Sequence, residues 1–235
     1  MSLIICIGNQ KGGVGKSQVT MLLAATLAQQ FNKSVAVVDL DKQKSIHSTR
    51  ELDKRAYDEL PSNCFAVYSL TTKEYLENLE KLKTAHEIIF VDVAGKLDDN
   101  LPPQLQDVSP ALFTCDFVLI PFVAGNHNTR SASEFFHFVR RIQSVQKANN
   151  LNPLKIGIFL NRIKAGTAQK VLNRDLDALK FANPDIIVFD KGLKELATFN
   201  TADSVTCLYD ETQNGAYGNF TAFCNDFLTK LKIKT

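Results

Sequence analysis

At 235 residues the chain has room for one α/β domain of good size and little beyond it. A hydrophobic fraction of 45% is ordinary for a chain that buries a core, and a formal net charge of +2 leaves nucleic-acid binding to a local patch at most. Five cysteines, odd in number and widely spaced with no CxxC, argue against a disulfide framework, a zinc site or a thioredoxin-like motif and fit a reducing cytosol.

The first apolar run, Leu3 to Ile7, is too short for a signal-peptide core and has no basic residues before it. The longest apolar stretch, "FVLIPFVAG" at 117–125, falls far short of a membrane span. A soluble cytoplasmic protein, one domain over residues 1–235, is the expectation.

The first candidate strand is "LIICIG" (3–8), and a glycine loop follows it. The loop runs into a helix, "KSQVTMLLAATLAQQF", with Val19, Leu22, Leu23, Thr26 and Leu27 on one stripe. Backbone N–H groups of Gly12, Gly13, Val14 and Gly15, with the helix N-terminus, can cradle phosphate oxygens. Lys16 would reach the β- and γ-phosphates, and the Ser17 hydroxyl would ligate Mg²⁺. The pattern GxxxxGK[ST] asks for glycine at position 10, where this chain has Gln10, so the strict motif fails. The loop also holds a second lysine, Lys11, that phosphate binding by itself does not require.

The second strand, "SVAVVD" (34–39), ends in "DLDKQ". Asp39 and Asp41 point the same way if the chain stays extended. They could then hold Mg²⁺ or orient a water, and a solvated strand end explains them as well. A strand "FAVYSL" (65–70) precedes a helix "TKEYLENLEKLKTAH" with Tyr75, Leu76, Leu79 and Leu82 on one side. The strand "EIIFVD" (87–92) places Asp92 at its end, where a carboxylate reaches Mg²⁺ through its water shell. Gly95, just after, would let a backbone N–H approach the γ-phosphate.

The strand "FVLIPF" (117–122) is followed by the helix "SASEFFHFVRRIQSVQKANN", whose phenylalanines read as core-facing and whose Arg140 and Arg141 read as a solvent edge. His127 reads as a lone loop histidine. After "KIGIFLN" (155–161), the Asn161 amide could bond an adenine edge and Arg162 could stack on the ring; capping of the next helix is the plainer role for Asn161. A helix "TAQKVLNRDLDALKFA", a strand "DIIVF" (185–189) and a last helix "NFTAFCNDFLTKLKIK" complete the series. Continuously apolar strands alternating with helices predict an open, doubly wound, mostly parallel sheet with helices on both faces. Ligands of such sheets bind at the carboxyl ends of the strands.

"KGGVGKS" with Lys11, then "DLDKQ", then "IIFVD", resembles the ParA/MinD family of deviant Walker P-loop ATPases. "ALFTCDFVLIPF" (111–122), "FLNRIK" (159–164) and the tail from Ala197, with Ala202 before a short strand and a last helix, are similar to further family segments. "DLDKQ" is closer to the ParA branch, and the expectation is its short form without an N-terminal helix-turn-helix module.

The resemblance implies ATP and Mg²⁺ as cofactors and hydrolysis of ATP to ADP and phosphate, slow without a partner. It gives Lys11 a role across a dimer interface, on the other subunit's ATP, so that ATP glues a homodimer. It gives Asp41 the attacking water, Asp39 and Asp92 the Mg²⁺ shell, and Lys11, Lys16 and Asp41 the catalytic roles. Gln18 stands where the family has Thr or Ser, which leaves the backbone N–H for an α-phosphate contact. The implied function is a switch for partition or positioning of DNA, nucleoid-associated, with a ParB-like adaptor and non-specific DNA as partners. The expected DNA-binding lysines are Lys191, Lys194, Lys230, Lys232 and Lys234. A MinD-like membrane switch is the alternative, because Phe220, Phe223, Phe227, Leu228 and Leu231 form an apolar stripe; a docked last helix would show the same stripe. A metabolic P-loop enzyme is the third possibility.

Overall fold

The computed structural model of the chain describes residues 2–95 and 108–234. Its elements run β1 (Leu3–Ile7), α1 (Lys16–Gln29), β2 (Val35–Asp39), α2 (Ser45–Ala56), β3 (Ala66–Ser69), α3 (Thr72–Ala85), β4 (Ile88–Asp92), α4 (Ser109–Phe113), β5 (Phe117–Phe122), α5 (Asn126–Ala148), β6 (Lys155–Leu160), α6 (Thr167–Ala182), β7 (Ile187–Val188), α7 (Ala197–Thr201) and α8 (Gly215–Leu231). The strands form one seven-stranded sheet in the order β3-β2-β4-β1-β5-β6-β7. Every pairing is parallel, as continuous apolar strands require when both faces are covered.

Side-chain alternation sorts the strands into two cores. Ile5 and Ile7 of β1, Val37 of β2 and Phe90 of β4 pack with α1 and α8 on one face. Ile4 and Cys6, Val38, Ile89 and Val91 pack with α3, α4, α5 and α6 on the other. β1 lies between β4 and β5, with β2 beyond β4 and β6 beyond β5. Strand order therefore reverses about β1, and the crevice at its carboxyl end is where such sheets take ligands.

α1 is buried on nearly every side, from Val19 through Ala28, and not along a single stripe. It shares one face of the sheet and one core with α8, which itself packs on β4 and β6, so burial and not amphipathicity fixes it. In α3, Tyr75 and Leu82 are buried, but Leu76 is 41% exposed and does not join the stripe expected of it. A capping box between Thr71 and Glu74 starts that helix.

Several other expectations are corrected. α2 lies in a stretch that periodicity did not mark; only Ile46, Arg50 and Asp53 of it are buried. α5 starts at Asn126, so His127 and Asn128 sit in its first turn and His127 is not a loop residue. α8 starts at Gly215, ahead of the expected Asn219. β7 is only two residues long, and among the described residues no strand follows Ala202. There the chain is tied down by side chains: Asp53 accepts from the Ser204 N–H and hydroxyl, while Arg50 donates to the Ser204 hydroxyl and carbonyl and to the Phe65 carbonyl. These bonds do for the backbone what a strand ladder would have done.

Candidate nucleotide site at the glycine loop

The loop after β1 is anchored by Asn9, whose side chain is buried. Its Nδ2 donates to the Pro121 carbonyl at 2.9 Å, and its Oδ1 accepts the Lys11 N–H at 3.0 Å. Gly15 closes the loop as the N-cap of α1 with φ 90°, a left-handed angle that disfavours any residue with a Cβ. A Cβ there would also stand 2.7 Å from Asn161 Nδ2. At Gly12 and Gly13 an added Cβ would meet nothing within 4 Å, so this part of the loop faces open space. The first turn of α1 leads into that space with N–H groups that have no intrahelical acceptor.

The two loop lysines diverge. Lys16 is buried, and its ammonium donates to the Lys11 carbonyl at 3.1 Å. Burial holds its pKa below the ordinary 10.5, with Asp92 and Asp41 pulling the other way. Lys11 finds its partner outside the loop and donates to Asn128 Oδ1 at 2.7 Å.

Ser17 Oγ donates to Asp92 Oδ2 at 2.8 Å, and the Ser45 hydroxyl approaches Ser17 Oγ at 3.3 Å. Asp92 is 1% exposed, and its Oδ1 is buried without a hydrogen-bond partner. Burial raises its pKa to about 7, against the pull of Ser17 and Lys16, and Asp39 and Asp41 add to the rise. A buried carboxylate oxygen without a donor, beside a hydroxyl at the edge of a glycine loop, fits a divalent cation held with a phosphate.

β2 ends at Asp39, both carboxylates act on Asp92, and the two take different partners. Asp39 is fully buried; its Oδ2 accepts the N–H groups of Ile46 and His47 at 3.1 and 3.0 Å, and its Oδ1 that of Asp41 at 3.2 Å. It therefore caps α2 from seven residues upstream. Asp41 is partly exposed and spends one oxygen on the Gln43 N–H at 3.0 Å.

Asn161 does not cap α6, whose N-cap is Gly166. It is buried and donates through Nδ2 to the Val14 carbonyl at 2.7 Å, joining the end of β6 to the glycine loop. With Arg162 it borders a cavity of about 220 Å³ whose walls include Gly15, Gln18, Leu22, Leu193, Leu196 and Phe199. Gln18 Nε2 donates to the Ala202 carbonyl at 3.1 Å, so this side chain ties α1 to the segment after α7. Gly95 presses against the loop: a Cβ there would lie 2.7 Å from the Asn9 carbonyl and 3.0 Å from that of Gln10.

Asn9, Ser45, Asn128 and the wall from Leu193 to Phe199 were not read from the sequence. Asn9 had a signal, since it directly follows the first strand. The others come from segments distant in the chain.

The segment of Lys191 and Lys194 is tied to α8, while Lys232 and Lys234 border a groove with Phe31, Tyr209 and Glu211. Asp226 of α8 accepts the N–H groups of Asp190 and Lys191, and Asn219 accepts that of Lys194. Lys191, Lys194, Lys232 and Lys234 are exposed, whereas Lys230 pairs with Asp190 at 2.9 Å. The apolar stripe of α8 is in the core, with Phe220, Phe223 and Phe227 each 0% exposed. No helix among the described residues is long and apolar enough to cross a membrane. Among the described residues no cluster of three or more metal-ligating side chains occurs, and Cys6, Cys115 and Cys224 are buried free thiols.

The chain is similar to the maintenance of carboxysome distribution protein A of Halothiobacillus neapolitanus, 28% identical over 166 residues that span 70% of this chain and 68% of the relative. Its fold is similar to that of a Cyanothece McdA variant in complex with ATP, with a TM-score of 0.69, 16% identity and coverage of 100% of this chain and 98% of the other. It is likewise similar to pNOB8 ParA bound to nonspecific DNA, with a TM-score of 0.63, 16% identity and coverage of 100% of both chains. At those identities the structures speak for the fold alone. The sequence profile of the CobQ/CobB/MinD/ParA nucleotide-binding domain matches residues 5–203, and the chain belongs to that family.

Proposed function

We propose that the protein is an ATP-hydrolysing switch of the ParA type, which dimerises around ATP and positions DNA, or a cargo carried on DNA, with a ParB-like adaptor. The observation that carries this reading is the divergence of Lys16 and Lys11: one ammonium turned into its own loop, the other led out of it. A site that only had to bind one triphosphate would need only the first.

The N–H groups of Gly12 to Gln18 and the Lys16 ammonium hold the phosphates of ATP. Asn161 and Arg162 line the cavity for the base. Ser17 and Asp92 would hold Mg²⁺, which on binding neutralises charge on the β- and γ-phosphates. Asp39 acts through α2: by capping the helix it fixes Ser45 and Asp41 beside the loop. Asp41 orients the attacking water. Lys11 supplies a cation to the triphosphate of the second subunit, where two facing phosphate chains concentrate negative charge. Hydrolysis severs the γ-phosphate, its release carries that charge away, and the dimer comes apart.

Lys191, Lys194, Lys232 and Lys234 form the phosphate-contacting face for duplex DNA, a contact that weakens steeply with salt. The buried stripe of α8 favours this reading over a membrane anchor. The buried thiols count against a cluster-carrying enzyme of the same superfamily.

Light scattering coupled to size exclusion tests the switch on wild type and Lys11→Ala, with no nucleotide, with ADP, and with a non-hydrolysable ATP analogue plus Mg²⁺. Wild type dimerises only with the analogue, and Lys11→Ala stays monomeric. A variant that dimerises as well as wild type removes Lys11 from the interface.

A further inference from the structure

We infer that Asn128 is a positioning residue for Lys11: it holds the ammonium on its own subunit and releases it when the ATP dimer forms. This rests on the cross-dimer reading of Lys11 given above.

The bond between Lys11 Nζ and Asn128 Oδ1, at 2.7 Å, joins residues 117 apart in the chain. Its direction is unambiguous. An ammonium can only donate, so the amide must present its oxygen. The amide nitrogen in turn donates to the Ala124 carbonyl at 3.0 Å, which can only accept. Both ends of the amide are thus fixed, and a flipped side chain would break both bonds.

The main chain of Lys11 is held toward the same place. Its N–H donates to Asn9, and Asn9 donates to Pro121 of β5. Main chain and side chain of Lys11 are therefore both referred to the β5–α5 junction, Pro121 on one side and Asn128 in the first turn of α5 on the other. The Lys11 carbonyl accepts from Lys16, so the same anchorage also sets where the phosphate-binding lysine rests.

The partner is neutral. Among the described residues no carboxylate forms an ion pair with Lys11. One amide oxygen holds an ammonium well enough to fix its direction. A triphosphate, with several negative charges at close range, outcompetes it. A carboxylate at position 128 would not give way so readily. An amide suits a residue that must be held and then let go.

The test uses the full chain and two variants of opposite sign. Asn128→Ala removes the acceptor and should tighten dimerisation in the ATP analogue plus Mg²⁺ by about three- to tenfold, the net scale of one ordinary intramolecular hydrogen bond. Asn128→Asp replaces the amide by an ion-pair partner and should weaken dimerisation, with added salt recovering part of it. A merely structural role for Asn128 would make both variants worse.

A second readout needs no dimer: acylation of lysines in the nucleotide-free protein, quantified by mass spectrometry. Lys11 should label faster in Asn128→Ala, and the other lysines should not. Equal Lys11 labelling overturns the proposal, because the bond would not hold the side chain. Faster labelling with unchanged or weaker dimerisation overturns it too, because the bond would not restrain the dimer. A wild type that stays monomeric with the analogue while Lys11 labelling still responds to Asn128→Ala points to failure of the switch reading itself, and the release step falls with it.

Discussion

The Ser17 hydroxyl donates to one oxygen of Asp92 at 2.8 Å, while the other oxygen of that buried carboxylate has no partner. The pair joins the first turn of α1 to the end of β4, two elements 75 residues apart. Ser17→Ala leaves both Asp92 oxygens buried without a donor. It should lower stability by about 1–3 kcal/mol, the cost of an unsatisfied buried acceptor, and abolish the magnesium dependence of nucleotide binding. Denaturant unfolding and a fluorescent ATP analogue titrated with and without Mg²⁺ check the two halves.

Gly95→Ala should impair nucleotide binding and spare the fold. The added methyl would lie 2.7 Å from the Asn9 carbonyl and 3.1 Å from Lys16 Nζ, and backbone on both sides leaves it no flexible neighbour to displace except that lysine. Affinity for ATP should fall by roughly tenfold or more, about 1.4 kcal/mol per decade, with an unchanged circular dichroism spectrum. Wild-type affinity in this variant would mean that the loop yields freely.

Asp39→Ala should destabilise the protein by about 2–4 kcal/mol, since three backbone donors lose their acceptor, two of them at the start of α2. Asp39→Asn keeps one carbonyl oxygen and should recover part of the loss. If Asp39 served only as a metal ligand, neither substitution would move the midpoint of the nucleotide-free protein.

His86 gives a pH dependence. Ser34 Oγ donates to the Ala85 carbonyl at 3.0 Å and so accepts from the ring Nδ1 at 3.2 Å; Tyr68 then donates to Nε2 at 3.0 Å. Burial holds the ring below its ordinary 6.5. A folded-state value below the unfolded one means that the native chain binds fewer protons in between. The contribution of His86 is thus present above about pH 6.5 and lost as pH falls through the folded value. The advantage of wild type over His86→Gln in melting temperature should shrink between roughly pH 7 and pH 5. A constant gap across that range would exclude a titrating His86.

Because Phe220, Phe223 and Phe227 lie inside the core, wild type should not float with anionic vesicles, with or without an ATP analogue. Phe223 packs against Phe159, Phe189 and Phe220. Phe223→Ala should cost about 3–5 kcal/mol. Flotation of the wild type would mean that α8 leaves the core.

The strands, their parallel sense and the ends where chemistry gathers were legible in the sequence. Apolar runs such as "IIFVD" carry enough hydrophobicity to demand cover on both faces, and the glycines and lysines of the loop restrict what can follow β1. Local pattern carries that information because it depends on residues within one turn or one strand. The start of α2 was not legible, because its cap is Asp39, outside the helix and buried under it. The missing strand after Ala202 was not legible either, because Arg50 and Asp53 of α2 bond that segment from 151 or more residues away. The direction of Lys11 belongs to the same class: glycine loop and α5 meet only when β1 and β5 pair. Sequence alone determined which chemistry the loop carries. Tertiary structure decided which acceptor each lysine and each carboxylate finds, since long-range pairing of buried polar groups depends on which strands lie side by side.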